Sequence, residues 1–545
     1  MGDPDGAGSP GFDAGGWRTL DVPHDWSIEG RIDPQNPMGG SGGFFPAGIG
    51  WYRRSFTVPP AWAGKRVSVE FEGVYMNAAV YINGRDLGTH PYGYTTFFHD
   101  LTPHLEAGAN NVLAVRVDQS KHRNSRWYAG SGIYRHVWLH ATDTVHVAPW
   151  GTSVTTPEVS AARARVVVST KIANESGKHA DLALQTVIHE DSGAAAGRAN
   201  RNVAANPGGI AEVNQEITVA NPARWTPDAP HLYRAVTRVM QGGRAVDEVS
   251  VTFGIRSIEW SAGRGFVLNG KPLKMCGGCV HHDHGPLGAA AFDRAEQRRV
   301  QALKDSGFNA IRTAHNPPSP AFLDACDRLG MLVMDEAFDC WSKGKNPFDY
   351  NVSFKDWWQR DIDAMVLRDR NHPSVVMWSI GNEIPERGDP LGAQEAKTIA
   401  DYVRGLDGTR PVTSALNLIA GKWSGTDGFY SALDIAGGGI IAIQTIPAGR
   451  VTVRPTLITA PIPATWTSAG IARRSRTTAT SCGTAARSCS WESGRRRPKA
   501  RICASRAGES GRFTQAGRGP EWRASRSRWR CTPGATRCAC ISATN

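Results

Sequence analysis

Nowhere in its 545 residues does the chain carry an apolar run of the ~20 residues that a membrane-crossing helix needs, so no membrane partner is expected. The opening MGDPDGAGSPGFDAGG has neither a basic n-region nor an apolar h-region, and no signal peptide is expected from it; the same tract also fits a chain lacking upstream residues. Cysteine is sparse and scattered through most of the sequence, at Cys276, Cys279, Cys326 and Cys340, which suits a reducing, cytoplasmic setting better than a disulfide framework. Acid is what the end of the chain lacks. Residues 450–545 contain no Asp and only Glu492, Glu509 and Glu521 against 18 Arg and one Lys, an excess of +16. The preceding residues hold 43 basic and 47 acidic side chains, so the overall +12 describes a mildly acidic body joined to a strongly basic tail.

Hydrophobic period divides the body. Runs such as VSVEFEG, AAVYING and VLAVRVD alternate and are separated by Gly, Pro and Asn turns, the pattern of an antiparallel sandwich of the jelly-roll kind over 1–144. ARVVVSTKIAN, ADLALQTVIHE, AEVNQEITV and YRAVTRVMQ continue as an immunoglobulin-like β-sandwich over 145–256, without a Cys-Trp-Cys pin. From 257 short strands alternate with helices expected at 293–306, 319–329, 354–370 and 391–406, the opening of a (β/α)8 TIM barrel that runs to 436 and does not finish. A basic low-complexity tail occupies 437–545.

The segment DRNHPSVVMWSIGNE (369–383) reads as a buried parallel strand that delivers Asn382 and Glu383 at its C-terminal end. In an alternating barrel the reacting groups sit at that end, so Glu383 is a candidate for proton transfer; the alternative is that Asn-Glu merely caps the next helix. This segment resembles the acid/base signature of glycoside hydrolase family 2, the family of β-galactosidases, β-glucuronidases and β-mannosidases. FNAIRTAHNPPSPAFLDACDRLGMLVMDEAFD (308–339) is similar to that family's other signature, and GIGWYRRSFTVP, FEGVYMNAAVYINGRDLGTHPYGYTTF and RWYAGSGIYRHVWL resemble its sugar-binding sandwich. The likeness runs from about Trp17 to about Ile435, and HHDHGPLG with PYGYTTF leans toward the β-galactosidase branch.

The resemblance implies a retaining hydrolase acting on terminal β-galactosides by double displacement, with Glu383 as acid/base and Asn382 hydrogen-bonded to the sugar 2-hydroxyl. β-Glucuronidase, β-mannosidase and a catalytically dead carbohydrate-binding chain are the alternatives. It also implies sugar contacts from His315 and a placing of nearby carboxylates by Arg312, for which pairing with Asp335 or Glu336 is the plainer reading. His281 and Asp283 look like the pocket wall of the family rather than a metal site, because neighbouring strand side chains point to opposite faces. Cys276 and Cys279 form a lone CxxC with no second pair at zinc spacing. The metal-ligand pattern that some members carry after Asp-Glu-Ala is not matched, so neither metal nor cofactor is expected. Of the abundant aromatics, Trp341 and Trp127 are expected to reach the pocket and stack on sugar.

The family's nucleophile, a Glu some 75–80 residues beyond the acid/base, has no counterpart: the window 454–463 contains no acidic residue, and Asp434 comes too early. An Arg-, Ser-, Ala- and Cys-rich tail without Asp is what a GC-rich reading frame gives out of register, and a shift near 435–440 is expected. The tail by itself would suggest a nucleic-acid partner; the expected partner is instead a carbohydrate substrate, without nucleic acid. Assembly into a homo-oligomer is left open.

Overall fold

A computed structural model of the chain describes residues 2–416, 427–438, 442–443 and 451–453. The window 454–463 and nearly all of the basic tail lie outside the described residues. The first domain is a two-layer antiparallel sandwich. One sheet holds Gly48–Thr57, Asn110–Gln119, Ala78–Ile82 and Arg85–His90, and the other Phe97–Asp100, Arg66–Phe71 and Val137–Thr142. The hairpin between Ala78–Ile82 and Arg85–His90 turns on Asn83 and Gly84, both at positive φ (49° and 79°), which is why Asn-Gly stands there. Val67, Val69 and Phe71 from one layer bury against Val80, Ile82, Val115 and Val117 of the other.

The second domain is also a sandwich, with Ala195–Ala205, Ala180–Glu190, Tyr233–Gln241 and Arg244–Phe253 facing Ile210–Ala220, Arg163–Asn174 and Val145–Val159. Its strands show the inside-outside alternation of a half-buried sheet: in Arg163–Asn174 every second residue from Ala164 is buried. A small sheet of Ile258–Ser261, Gly265–Leu268 and Lys271–Pro272 leads into the barrel.

The barrel strands Gly277–Val280, Ala310–Thr313, Leu332–Glu336, Val375–Asn382, Val412–Leu416 and Ile435–Gly438 lie side by side in parallel. Their helices are Asp293–Asp305, Pro320–Leu329, Asn351–Asp369 and Pro390–Leu406. All eight residues of Val375–Asn382 are buried, as a strand covered on both faces requires. Helix Pro320–Leu329 begins on Ser319, whose side chain accepts from the Phe322 amide, with Pro at the first helical position. It ends on Gly330 at φ 71°, where a Cβ would also press on the Pro227 carbonyl.

Each sandwich holds a different end of the barrel. The first lies over the C-terminal strand ends: Tyr92 donates to Ala337 O (2.6 Å), Arg135 to Pro317 O (2.8 Å) and Thr95 to Asp361 (2.5 Å). Tyr75, Tyr92, Tyr94 and Tyr134 belong to one apolar core with Phe338, Trp341 and Trp378 of the barrel. The second sandwich meets the N-terminal ends, where Arg256 donates to Pro373 O (2.6 Å) and Trp225 to Asp327 O (3.0 Å).

Candidate functional site

At the C-terminal strand ends the central pair is Arg312 on the second barrel strand and Glu336 on the third. The guanidinium forks onto the carboxylate, Nε to Oε2 at 2.9 Å and Nη2 to Oε1 at 2.6 Å, and both side chains are buried. Burial alone would neutralise Glu336, but the charge of Arg312 and the hydrogen bond with His315 win and hold it below its ordinary range. Ser379 donates to the same carboxylate at 2.7 Å. Arg312 thus pairs with Glu336. Asp335 points to the opposite face of the strand, where burial and the neighbouring Asp369 push it well above the carboxylate range.

His315 Nδ1 lies 3.0 Å from Arg312 Nη2 and 3.0 Å from Glu336 Oε1, so it accepts from the one or donates to the other. Arg312 Nη2 also donates to Asn382 Oδ1 at 2.6 Å, and Asn382 Nδ2 donates to Asp339 Oδ1 at 2.6 Å. One amide N–H and one lone pair of Asn382, which is itself buried, have no partner among the described residues. Asp339 receives Arg126 through two bonds (2.7 and 2.9 Å) and Lys345 at 2.8 Å. Burial opposes its ionisation, yet these hydrogen bonds and charges hold it well below its ordinary range.

Glu383 follows directly at φ 46°, its amide bonded to Ala415 O at 2.6 Å, and its carboxylate is 32% exposed and 3.5 Å from Arg126 Nη1. Capping is not its task. The helix Pro390–Leu406 is capped by Asp389, which accepts from the Leu391 amide at 2.9 Å, and Asn382 spends its side chain on Arg312 and Asp339.

The first strand stops at Val280, so the HHDH cluster lies on the loop beyond it. His281 and His315 pack edge-on at 5.2 Å, and Trp127 sits 5.2 Å from each ring. Burial, then the nearby His315, pulls His281 down to about 4, so it is neutral near pH 7. His282 turns inward against Tyr94 and Tyr134 and lies 3.1 Å from the Ala129 carbonyl. Asp283 is not brought into the Arg312 group: among the described residues its carboxylate makes a long contact, 3.4 Å, with the Gly285 amide. Trp341 corrects the expectation made for it. The indole is fully buried, donates to Ile380 O at 2.9 Å and stacks on Phe429, because the loop after the third strand folds it into the barrel core. Trp127 donates to the Tyr94 hydroxyl at 3.1 Å and, with Tyr75, Tyr350, His315 and Asp339, lines a small recess of about 30 Å3.

Sequence reasoning missed Arg126, Asp339, Lys345 and Cys279. Asp339 ends the quoted DEAFD run and Arg126 opens RWYAGSG, so both had a positional signal; Lys345 sits in a polar loop that gave none. Cys279 accepts from Arg312 Nη1 at 3.3 Å rather than pairing with Cys276, and neither is in a disulfide. Among the described residues only Asp324, Asp327 and His372 are spaced like metal ligands, and they lie at the opposite barrel end. His372 donates to Asp327 at 2.6 Å and is held at about 9, so at neutral pH it is an ion-pair donor rather than a ligand.

The site thus gathers an Asn-Glu pair and an Arg-Glu-His group at the strand ends of a barrel, beneath the loops of the N-terminal sandwich. Models of the family 2 sugar-binding domain, of glycosyl hydrolases family 2 and of the family 2 TIM barrel domain match residues 18–143, 145–256 and 262–426. The chain belongs to glycoside hydrolase family 2. It is 44% identical over 448 residues to the β-galactosidase BoGH2A of Bacteroides ovatus, covering 76% of this chain and 53% of that one. A family 2 structure from Bacteroides cellulosilyticus superposes with a TM-score of 0.78 at 44% identity, over 80% of this chain and 57% of the other. A Bacteroides uniformis β-glucuronidase gives a TM-score of 0.70 at 28% identity, over 80% and 53%. The chain spans about half the length of these relatives.

Proposed function

We propose that the chain carries the acid/base half of a retaining β-galactosidase. The observation that supports this reading best is Glu383 itself: a partly exposed carboxylate at a strand end, next to an Asn whose amide is fixed by Arg312 and Asp339. In the first step Glu383 gives its proton to the glycosidic oxygen while a second carboxylate attacks the anomeric carbon; in the second step it takes a proton from water. The free N–H or lone pair of Asn382 meets the sugar 2-hydroxyl, a contact that strengthens as the ring becomes oxocarbenium-like. His281, His315 and Trp127 form one wall for the sugar. The resemblance carries no second carboxylate into 454–463, so the chain as given is expected to bind sugar and not turn it over.

A galactoside is favoured over a uronide by charge. Among the described residues the site cations Arg312, Arg126 and Lys345 each already face Glu336, Asp339 or Glu383, which leaves none committed to a sugar carboxylate. β-Glucuronidase is the second reading, supported by the structural likeness given above. Nitrophenyl β-galactoside, β-glucuronide and β-mannoside, offered to the 545-residue chain and to a version read in the alternative frame after 435, separate the readings. The expected result is galactoside hydrolysis by the second protein only. Ordinary turnover by the first would mean that a nucleophile lies elsewhere, and preference for the glucuronide would reverse the choice of sugar.

A further inference from the structure

We propose that Arg126, a residue of the N-terminal sandwich, is a positioning residue for Glu383, so that the proton carrier of the barrel is set by a neighbouring domain. The inference rests on the reading of Glu383 as acid/base.

Arg126 reaches across the domain boundary with a divided guanidinium. Nε and Nη2 are spent on Asp339, at 2.9 and 2.7 Å, while Nη1 stands 3.5 Å from Glu383 Oε2. One planar fork therefore spans carboxylates that follow two different barrel strands, which a lysine's point charge cannot do with the same geometry. Lys345, the other nearby cation, donates to Asp339 (2.8 Å) and to the Asn382 carbonyl (2.7 Å). Among the described residues Arg126 is the cation within ion-pair distance of Glu383.

The loop that carries Arg126 is pinned on both sides. Asn124 accepts from the Tyr75 hydroxyl at 3.2 Å and donates to Lys121 O at 2.9 Å; Ser125 donates to Trp127 O at 2.7 Å; Trp127 is tied to Tyr94. A group aimed by a rigid support is placed more closely than one on a free loop. The partner side is equally fixed, since Asp339 holds Asn382 and the Glu383 amide is bonded to Ala415 O. The consequence is geometric: the fork that is anchored on Asp339 fixes where the Glu383 carboxylate stands beside Asn382.

The test uses the version read in the alternative frame after 435, with Glu383→Gln as the reference. Arg126→Met, with its near-ultraviolet circular dichroism intact, should lower the hydrolysis of glycosides with poor leaving groups by about 10-fold while activated aryl glycosides and KM stay within about twofold of the parent, and Arg126→Lys should recover only part of the loss. Equal loss on both substrate types, no loss on either, or full recovery by Arg126→Lys would overturn the assignment. The glycosidase reading would survive that result, because it stands on turnover by the parent and its loss in Glu383→Gln.

Discussion

Charged side chains gather at both ends of the same barrel strands, and the two gatherings are put to different use. At the N-terminal ends Arg256 donates to Pro373 O and Val375 O, Arg410 to Val375 O, His372 O and Asp407, and Asp327 accepts from His372 and the Ser374 amide. These charges are buried, or half-buried in the case of His372, and end on backbone groups or nearby opposite charges, which staples loop to strand and sandwich to barrel. At the C-terminal ends the ions are linked in a chain, Glu336 to Arg312 to Asn382 to Asp339 to Arg126, and the chain finishes on a carboxylate that faces solvent. Ion content does not separate a site from a staple. What separates them is whether the chain of contacts ends on a member left open to solvent, as the upper group does at Glu383.

Substitution should split the two ends along those lines. Glu383→Gln keeps shape and removes the proton, so in a form with a complete catalytic pair the hydrolysis of glycosides with poor leaving groups should fall by about 10² to 10⁴ fold, with little change in melting temperature. Activated aryl glycosides should suffer less; equal loss on both substrate types would speak against the acid/base role. At the other end Asp327→Ala takes from the half-buried His372 the carboxylate it donates to, and from the Ser374 amide its acceptor. The barrel should lose about 3 to 5 kcal/mol of stability, read from the denaturant midpoint of its own transition.

The same lower pair should give a pH signature that the upper site lacks. His372 is held at about 9 against an ordinary 6.5, because Asp327 outweighs the burial that would discharge it. A group with a raised folded value contributes fully below its unfolded value and loses that contribution as pH climbs through the folded one. Barrel stability should therefore fall by about 3 kcal/mol between pH 6 and pH 10. Urea midpoints that stay flat over this window would mean that the ion pair is not formed in solution, and the fall should be absent in Asp327→Asn.

The legible parts of the molecule were those with a strict local code. Alternation marked both sandwiches, and the change to short strands alternating with helices marked the barrel, helix Pro320–Leu329 falling within the expected 319–329. The strand ending in Asn382 was readable because burial on both faces leaves a continuous apolar run. Side chains reaching across domains were not readable. Arg126 and Asp339 are 213 positions apart, and no periodicity connects them. Trp341 failed for a related reason: a Trp after a strand end can turn to the pocket or back into the core, and the choice was made by Phe429, which the sequence does not place beside it. The opposite faces expected for His281 and His282 did appear, although the strand had already ended at Val280.

The smallest expected effect sharpens the contrast between the two tryptophans. Trp127 stands 5.2 Å from the rings of both His281 and His315, borders the recess and is only partly buried, whereas Trp341 is enclosed. Its indole is tied to Tyr94, so Trp127→Phe keeps an aromatic face and loses only that bond, while Trp127→Ala removes the face as well. Stacking on the C–H face of a sugar contributes on the order of 1 kcal/mol. Galactose measured by calorimetry against the full chain should therefore bind about fivefold more weakly to Trp127→Ala than to the parent. Trp127→Phe should fall within about twofold of the parent on the same scale. If the alanine variant bound as tightly as the parent with its fold intact, Trp127 would belong to the seam between sandwich and barrel, as Trp341 belongs to the core, and the sugar wall would rest on the two histidines alone.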